Sequence, residues 1–501
     1  MIAGGRFARK RRDRTADETL PIPPGPVSNG EFVPAPSTAS DRAVAAAMRD
    51  AIDDAAQRTG SPRREFLRTT GALAVSLAVL DACSSSDPKA KGGTFRRPQP
   101  EDAAECAHVL EGREFVFDVH THHVVPAAPW RHNAPDTVRL IEHMLPADCS
   151  SADRFDCVDR NAYVHDVFLN SDTTMAMLTD VPNSGPDDAP VPYAEELATR
   201  DFVTDLAGGG AGRLQLNSVI APNVGPVERT LDAMTSAAAG GSVAAFKVYT
   251  AWSPEGRGYS LEDPRVGLPV VQHAHDLGVK VFVAHKGLPL VHFDEAHNGP
   301  EDIVAVSRLF PDMQFVVFHA GWDPRHREGP YRVGSGSGID RLLAAMDHAG
   351  LAPNGNLWVD LATVWRQLMT RPDEAAHVLG KLLSRVGASR VLWGTDAVWY
   401  GSPQPQIAAF RAFEITPAFQ ARFGYPALSS ELKAQIFGLN AAALFGVDPH
   451  AQRCALDESR AAAAEAQRDG AVAPYFLPRG PSTRREVLAW LATPATRWRP
   501  A

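Results

Sequence analysis

Phe117-Asp118-Val119-His120-Thr121-His122-His123 is the stretch on which the reading of this chain turns. Glu114 to Val119, with Phe115, Val116, Phe117 and Val119, reads as a short apolar strand. Side chains i and i+2 of a strand leave the same face. His120 and His122, at the end of this strand, therefore aim two imidazoles at one point. Converging nitrogens suit a divalent transition ion. An isolated His-x-His is equally well read as loop polarity, so the rest of the chain has to decide.

Downstream, short apolar runs alternate with stretches of helical period. The runs are Glu114–Val119, Thr174–Leu178, Leu214–Ile220, Ala244–Tyr249, Lys280–Ala284, Gln314–Phe318, Leu357–Leu361 and Val391–Trp393. Amphipathic candidates between them include Val227–Ala239, Pro269–Leu277, Glu301–Leu309, Ile339–His348, Glu374–Val386 and Gln406–Ala412. Eight strand–helix repeats over residues 114–447 predict an α/β fold, a (β/α)8 TIM barrel. A doubly wound open sheet is the competing arrangement, but no Gly-rich phosphate loop follows the first strand. Ser430–Gly446 reads as a closing helix, and residues 448–501 as a C-terminal tail.

Barrel enzymes carry their chemistry at the C-terminal ends of the strands. Strand one ends in His120 and His122, strand five in His285, strand six in His319 and strand eight in Asp396. Strand four carries Lys247, which alternation turns inward if Phe246 and Val248 face the helices. Singly, each is an ordinary strand-end residue. Five metal-capable side chains at four strand ends point to a metal site.

The order His-x-His, His, His, Asp on successive strands resembles the amidohydrolase superfamily. The local strings resemble its amidohydrolase-related branch, which includes aminocarboxymuconate-semialdehyde decarboxylase-like enzymes. The matching pieces are Phe117–His122, Leu261-Glu262-Asp263-Pro264-Arg265, Phe318-His319-Ala320-Gly321, Leu392-Trp393-Gly394-Thr395-Asp396 and Ile436-Phe437-Gly438-Leu439-Asn440-Ala441-Ala442. The resemblance implies His120, His122 and His285 as metal ligands. It implies Asp396 as a further ligand or as acceptor of a proton from metal-bound water. His319 is then a general acid/base or, in a two-metal variant, a ligand to the second ion. The string Phe246-Lys247-Val248-Tyr249 resembles hydantoinase-like members, whose strand-four Lys is carbamylated and bridges two metals. In the other branch a Lys near here is not a ligand, and one catalytic metal is the preferred reading. Zinc is the expected ion.

On this basis the chain is expected to be a metal-dependent hydrolase of a small-molecule amide, ester or lactone. The rival within enzymes is a non-oxidative decarboxylase of an aromatic or unsaturated acid, with Arg366, just past strand seven, as the candidate carboxylate holder. A rival of another class is an inactive substrate-binding envelope lipoprotein, which a full set of ligand-type residues argues against.

The remaining segments read as follows. The loop from Val124 to Asp172 holds Trp130, His132, His143, Cys149 and Cys157, and the loop after strand six holds His326 and the flexible Gly334-Ser335-Gly336-Ser337-Gly338. The three extra histidines read as surface residues, and such loops choose substrates. Residues 1–60, with a basic cluster at Arg6–Arg14 and a Pro-, Gly- and Ser-rich Pro21–Pro36, read as a disordered leader that could include a short helix at Asp41–Arg58. In residues 61–83, Arg63-Arg64-Glu65-Phe66-Leu67-Arg68 followed by the apolar Gly71–Leu80 resembles a twin-arginine export signal, and Leu80-Asp81-Ala82-Cys83 a lipoprotein box with an unusual Asp81. The alternative is an internal apolar helix. Export to the periplasm or envelope, with a lipid at Cys83, is the expectation, and residues 84–113 read as a tether. An oxidising compartment would permit a Cys149–Cys157 disulfide, with Cys106 and Cys454 as other candidates.

The 501 residues are 44% apolar and 22% charged, ordinary for a globular protein. A net charge of -9 leaves no nucleic-acid footprint. Five cysteines without a Cys-x-x-Cys support neither a zinc knuckle nor a thioredoxin-like motif. The expected partner is a small-molecule substrate, and composition leaves the oligomeric state open.

Overall fold

A computed structural model of the chain describes residues 20–84, 90–96, 112, 114–145, 149, 151–206, 212–291, 293–449 and 483–491. A short strand, β1 (Gly93–Phe95), precedes the barrel. The barrel strands are β2 (Phe117–Thr121), β3 (Met175–Thr179), β4 (Leu214–Ile220), β5 (Val243–Val248), β6 (Val281–His285), β7 (Gln314–Phe318), β8 (Leu357–Asp360) and β9 (Val391–Leu392). All eight pair in parallel in chain order, one for each apolar run. β9 is short, and closure onto β2 continues beyond it. Val119 N donates to Trp393 O at 3.0 Å, Asp396 N donates to His120 O at 2.9 Å, and Thr121 bridges Ala397 in parallel. The last two contacts place residues 120 and 396 side by side, and so fix the geometry of the site.

The two-residue period decides which side chains fill the barrel. Phe117, Val119, Met175, Met177, Val281, Val283, Val316 and Phe318 form one buried interior cluster, floored by Ala441 and Ala442. Residues of opposite parity, among them Val116, Phe246, Val248, Phe282, Ala284, Phe315 and Val317, pack outward with helix residues such as Val270, Val271, Ile303 and Leu342. Burying each large apolar side chain contributes roughly 1.5–3 kcal/mol, so a one-residue slip of any strand would expose an entire face. The closing helix, Asn440–Phe445, stops at Gly446, whose left-handed φ of 66° favours glycine.

The N-terminal quarter differs from the expected disordered leader. Residues 20–84 are folded onto the barrel; residues 1–19, including Arg6–Arg14, lie outside the described residues, as do 85–89, 97–111 and 113. Leu20, Ile22 and Phe32 are buried. Helix α1 (Ala39–Arg58) starts with a reciprocal capping box between Thr38 and Asp41 and buries Met48 and Ile52. After the one-turn helix α2 (Arg63–Phe66), α3 (Thr70–Ala82) packs Leu73, Leu77 and Leu80 into the same core. The Pro, Gly and Ser content that reads as disorder is offset by these few large apolar residues, which reach a surface supplied by distant parts of the chain. Asp81, the residue out of place in a lipoprotein box, is 3% exposed and accepts from Lys91 Nζ and Thr94 Oγ1, each at 2.6 Å. It ties α3 to β1, which pairs antiparallel with β10 (Phe413–Ile415), so part of the expected tether is strand. Among the described residues no helix is long and apolar enough to cross a membrane. Cys149 and Cys157 are joined by a disulfide, and Cys83 is a free, exposed thiol. Cys106 and Cys454 lie outside the described residues, as do 450–482 and 492–501 of the tail. The described part of the tail is the helix Arg484–Leu491, with Val487 buried.

Candidate metal centre

At the C-terminal end of the barrel the strand termini converge. His120 Nε2 lies 3.7 Å and His122 Nε2 3.3 Å from Asp396 Oδ1. These three buried residues form a group whose ligand atoms all lie within 4.8 Å of one another. A second such group is His120, His319 and Asp360. The far nitrogens explain how the first group is aimed. His120 Nδ1 donates to Asp360 Oδ2 at 2.9 Å, and His122 Nδ1 donates to Thr179 O at 2.7 Å. Both rings are thereby fixed with Nε2 inward, the usual outer support of metal-binding imidazoles. Two neutral imidazoles and a carboxylate form a donor set that fits a divalent ion.

Electrostatics keeps the donors in their ligating forms. Burial pushes His120 and His285 well below the ordinary imidazole range, with neighbouring positive groups adding to it. Burial also lowers His122, against the pull of Asp396, and brings His319 down to about 4. For Asp396, burial would raise the acid, but the imidazoles of His122 and His319 beside it and the bond from Thr363 hold it at about 2. The set is thus neutral nitrogens plus an anionic oxygen. Thr363 Oγ1 donates to Asp396 Oδ2 at 2.5 Å and orients the carboxylate.

His319 donates from Nδ1 to Ala362 O at 2.9 Å, which frees its Nε2. His285 stands beside it, ring centroids 4.7 Å apart, but its Nε2 is bonded to Leu288 O at 3.0 Å, leaving Nδ1 as the available atom. Lys247 is inward, as alternation predicts, fully buried, with Nζ 3.4 Å from His120 Nε2 and over the rings of Tyr249 and Phe318. Burial lowers it to about 7, against the attraction of Asp396, Asp360, Glu31 and Asp180. Arg366 is buried in the short helix Val364–Leu368 that follows β8, its guanidinium 5.9 Å from the Tyr400 ring centroid. His132 and His326 are exposed, and His326 lies 3.3 Å from Asp323. The side chain of His143 lies outside the described residues.

Three contributors escaped the reading of the sequence. Asp360, at the end of β8, holds His120 and also accepts from the His319 amide at 2.6 Å. Asp118 accepts from His120 N at 3.2 Å and Thr395 N at 3.1 Å, clamping the first strand to the eighth. Thr363 orients Asp396. The strand-end rule applied to Trp358-Val359-Asp360 would have flagged the first; nothing local marks the other two. His319, Thr363 and Asp396 all have left-handed φ, at 61°, 59° and 65°. Such strain in non-glycine residues costs of order 1–3 kcal/mol each and gathers at functional sites. Gly394 is the small residue that lets β9 approach, since a Cβ there would stand 3.0 Å from Asp360 Oδ2 and 3.2 Å from His120 Cβ.

A family model described as amidohydrolase matches residues 117–447. A search of curated proteins finds no match. Among solved structures, a TIM-barrel protein of Bordetella bronchiseptica aligns at 14% identity and TM-score 0.43, covering 68% of this chain and 99% of the other. The 5-carboxyvanillate decarboxylase of Sphingomonas paucimobilis aligns at 13% identity and TM-score 0.42, covering 67% and 99%. A 2,6-dihydroxybenzoate decarboxylase of Rhizobium aligns at 14% identity and TM-score 0.39, covering 66% and 99%. The match over most of the barrel, with a His/Asp donor set at its mouth, makes this chain a member of the amidohydrolase family and a metal-dependent enzyme, hydrolase or lyase.

Proposed function

We propose that the enzyme removes carbon dioxide, without oxidation, from a small aromatic or unsaturated carboxylic acid. The observation that carries this reading is the buried Lys247, with Nζ 3.4 Å from His120 Nε2; a second basic side chain, Arg366, is buried beside Tyr400 in the helix that follows β8. Buried basic groups near a metal site favour an anionic ligand, because its charge holds them protonated where water cannot. Arg366 is the candidate holder of the substrate carboxylate, and its guanidinium fork matches that group. Loss of carbon dioxide leaves the bonding electron pair on the substrate carbon, which must then gain a proton. His319 and Asp396 are the side chains placed to pass it. A divalent ion, with zinc as the expected one, would polarise a substrate oxygen or lower the pKa of bound water.

Hydrolysis of an amide, ester or lactone is the second reading, favoured by the anionic Asp396, whose Oδ1 faces His120 and His122 and would take the proton of a metal-bound water there. The deciding experiment supplies metal-loaded enzyme with aromatic acids, amides and lactones, following carbon dioxide release and acid production separately. Carbon dioxide released in step with loss of an aromatic acid is the expected result. Turnover of amides or lactones with no carbon dioxide from any acid would overturn it in favour of hydrolysis.

A further inference from the structure

Residues 20–34 precede α1 and lie outside the stretch that matches the family, which begins at residue 117. They are nonetheless anchored to three loops of the catalytic face. In the loop after β6, Phe32 pairs antiparallel with Leu290, and Val291 N donates to Glu31 O at 2.8 Å. After β8, Val27 N donates to Gln367 Oε1 at 3.2 Å, and Gln367 Nε2 donates back to Val27 O at 2.6 Å. After β9, Val27 packs on Tyr400. A segment fixed to the loops after the fifth, seventh and eighth barrel strands must cross the mouth that those strands open into. Ile22 and Phe32 are fully buried along it.

Between the anchors lies Glu31, 9% exposed. Its side chain accepts from Asn29 Nδ2 at 2.6 Å, and burial, with the charge of Asp396 adding to it, raises its acid to about 8. We propose that residues 20–34 form a strap closing the catalytic face, so that ligands enter only when the strap lifts. The closure rests on the anchors alone. The hold on the barrel combines main-chain pairing to the loop after β6, two bonds to the Gln367 side chain and the burial of Ile22 and Phe32, so the cost of lifting is one that a substitution at an anchor can change.

The test uses the full chain, zinc-loaded, and needs no turnover. Phe32 and Leu290 form a non-hydrogen-bonded antiparallel pair, whose Cα atoms lie about 4.5 Å apart, close enough for a disulfide. Phe32→Cys with Leu290→Cys should lock the strap when oxidised and release it when reduced. The readout is the rate at which dipicolinate strips the zinc. A locked strap should slow the loss by about tenfold or more, because the open fraction falls, and reductant should restore it. Wild type with and without reductant controls for the Cys149–Cys157 bridge. Gln367→Ala, which removes both bonds to Val27, should speed the loss and covers the case in which the double variant fails to fold. Equal rates across locked, unlocked and Gln367→Ala protein would overturn the strap. Failure of every acid in the turnover panel would leave the zinc-release result standing.

Discussion

Asp360 holds His120 by its ring, Nδ1 to Oδ2 at 2.9 Å, across 240 residues of chain. The same carboxylate's other oxygen receives the amide of His319 at 2.6 Å. One buried acid therefore sets the direction of a ligand nitrogen and the backbone position of a second site histidine. Asp360→Asn keeps the shape but weakens the hold on the imidazole. Loss of such outer partners typically costs 10–100-fold in metal affinity or activity. Metal titration of the folded variant should show weaker binding of that order; wild-type affinity would mean that Asp360 serves packing alone.

His120 stands in both metal-capable groups. His120→Ala should therefore lower metal content and abolish turnover, with circular dichroism unchanged because the strand keeps its apolar neighbours. Full metal retention and activity would remove it from the donor set.

Lys247 lies with Nζ 3.4 Å from His120 Nε2. Reconstitution with and without bicarbonate is expected to give one metal per chain, in wild type and in Lys247→Ala alike. Two metals in wild type that fall on substitution, and return in part with a short carboxylic acid, would instead report a bridging carbamate, with His319 on the second ion.

The twin-arginine reading of residues 61–83 makes a prediction about the cell. Arg63→Lys with Arg64→Lys should hold precursor in the cytoplasm, as fractionation would show. A doubly substituted protein that still reaches the envelope would end the twin-arginine reading. N-terminal sequencing of mature protein bears on the strap as well, since a chain beginning at Cys83 has lost residues 20–34 together with α1 to α3.

The charge state of Asp396 also predicts a pH response. Its folded-state acid is held at about 2, below the ordinary carboxylate value of 3.8. A depressed acid stabilises the fold above its ordinary value, and that contribution is lost as pH falls towards the depressed one. Metal-free Asp396→Asn should accordingly lose less stability than wild type between about pH 4 and pH 2. Denaturant melts at the two pH values would show it, and parallel losses would contradict it.

The barrel was legible in the linear chain, and so were His120, His122 and Asp396, which the fold brings together. Period-two apolar runs need only near neighbours to be read, and Leu214–Ile220 and Gln314–Phe318 match their strands residue for residue. A histidine at a strand end inherits its direction from that strand, which is why His120, His122 and Lys247 could be aimed before any coordinates. Only the tertiary structure decided the rest. Asp118 and Thr363 matter through partners brought close by barrel closure, Thr395 and Asp396 respectively, and no local pattern records such a pairing. Pro21–Pro36 reads as unstructured because its composition buries little on its own; the barrel mouth supplies the surface that Ile22 and Phe32 fill. Closure of the sheet is a long-range event, and what depends on it becomes visible only once the eighth strand has met the first.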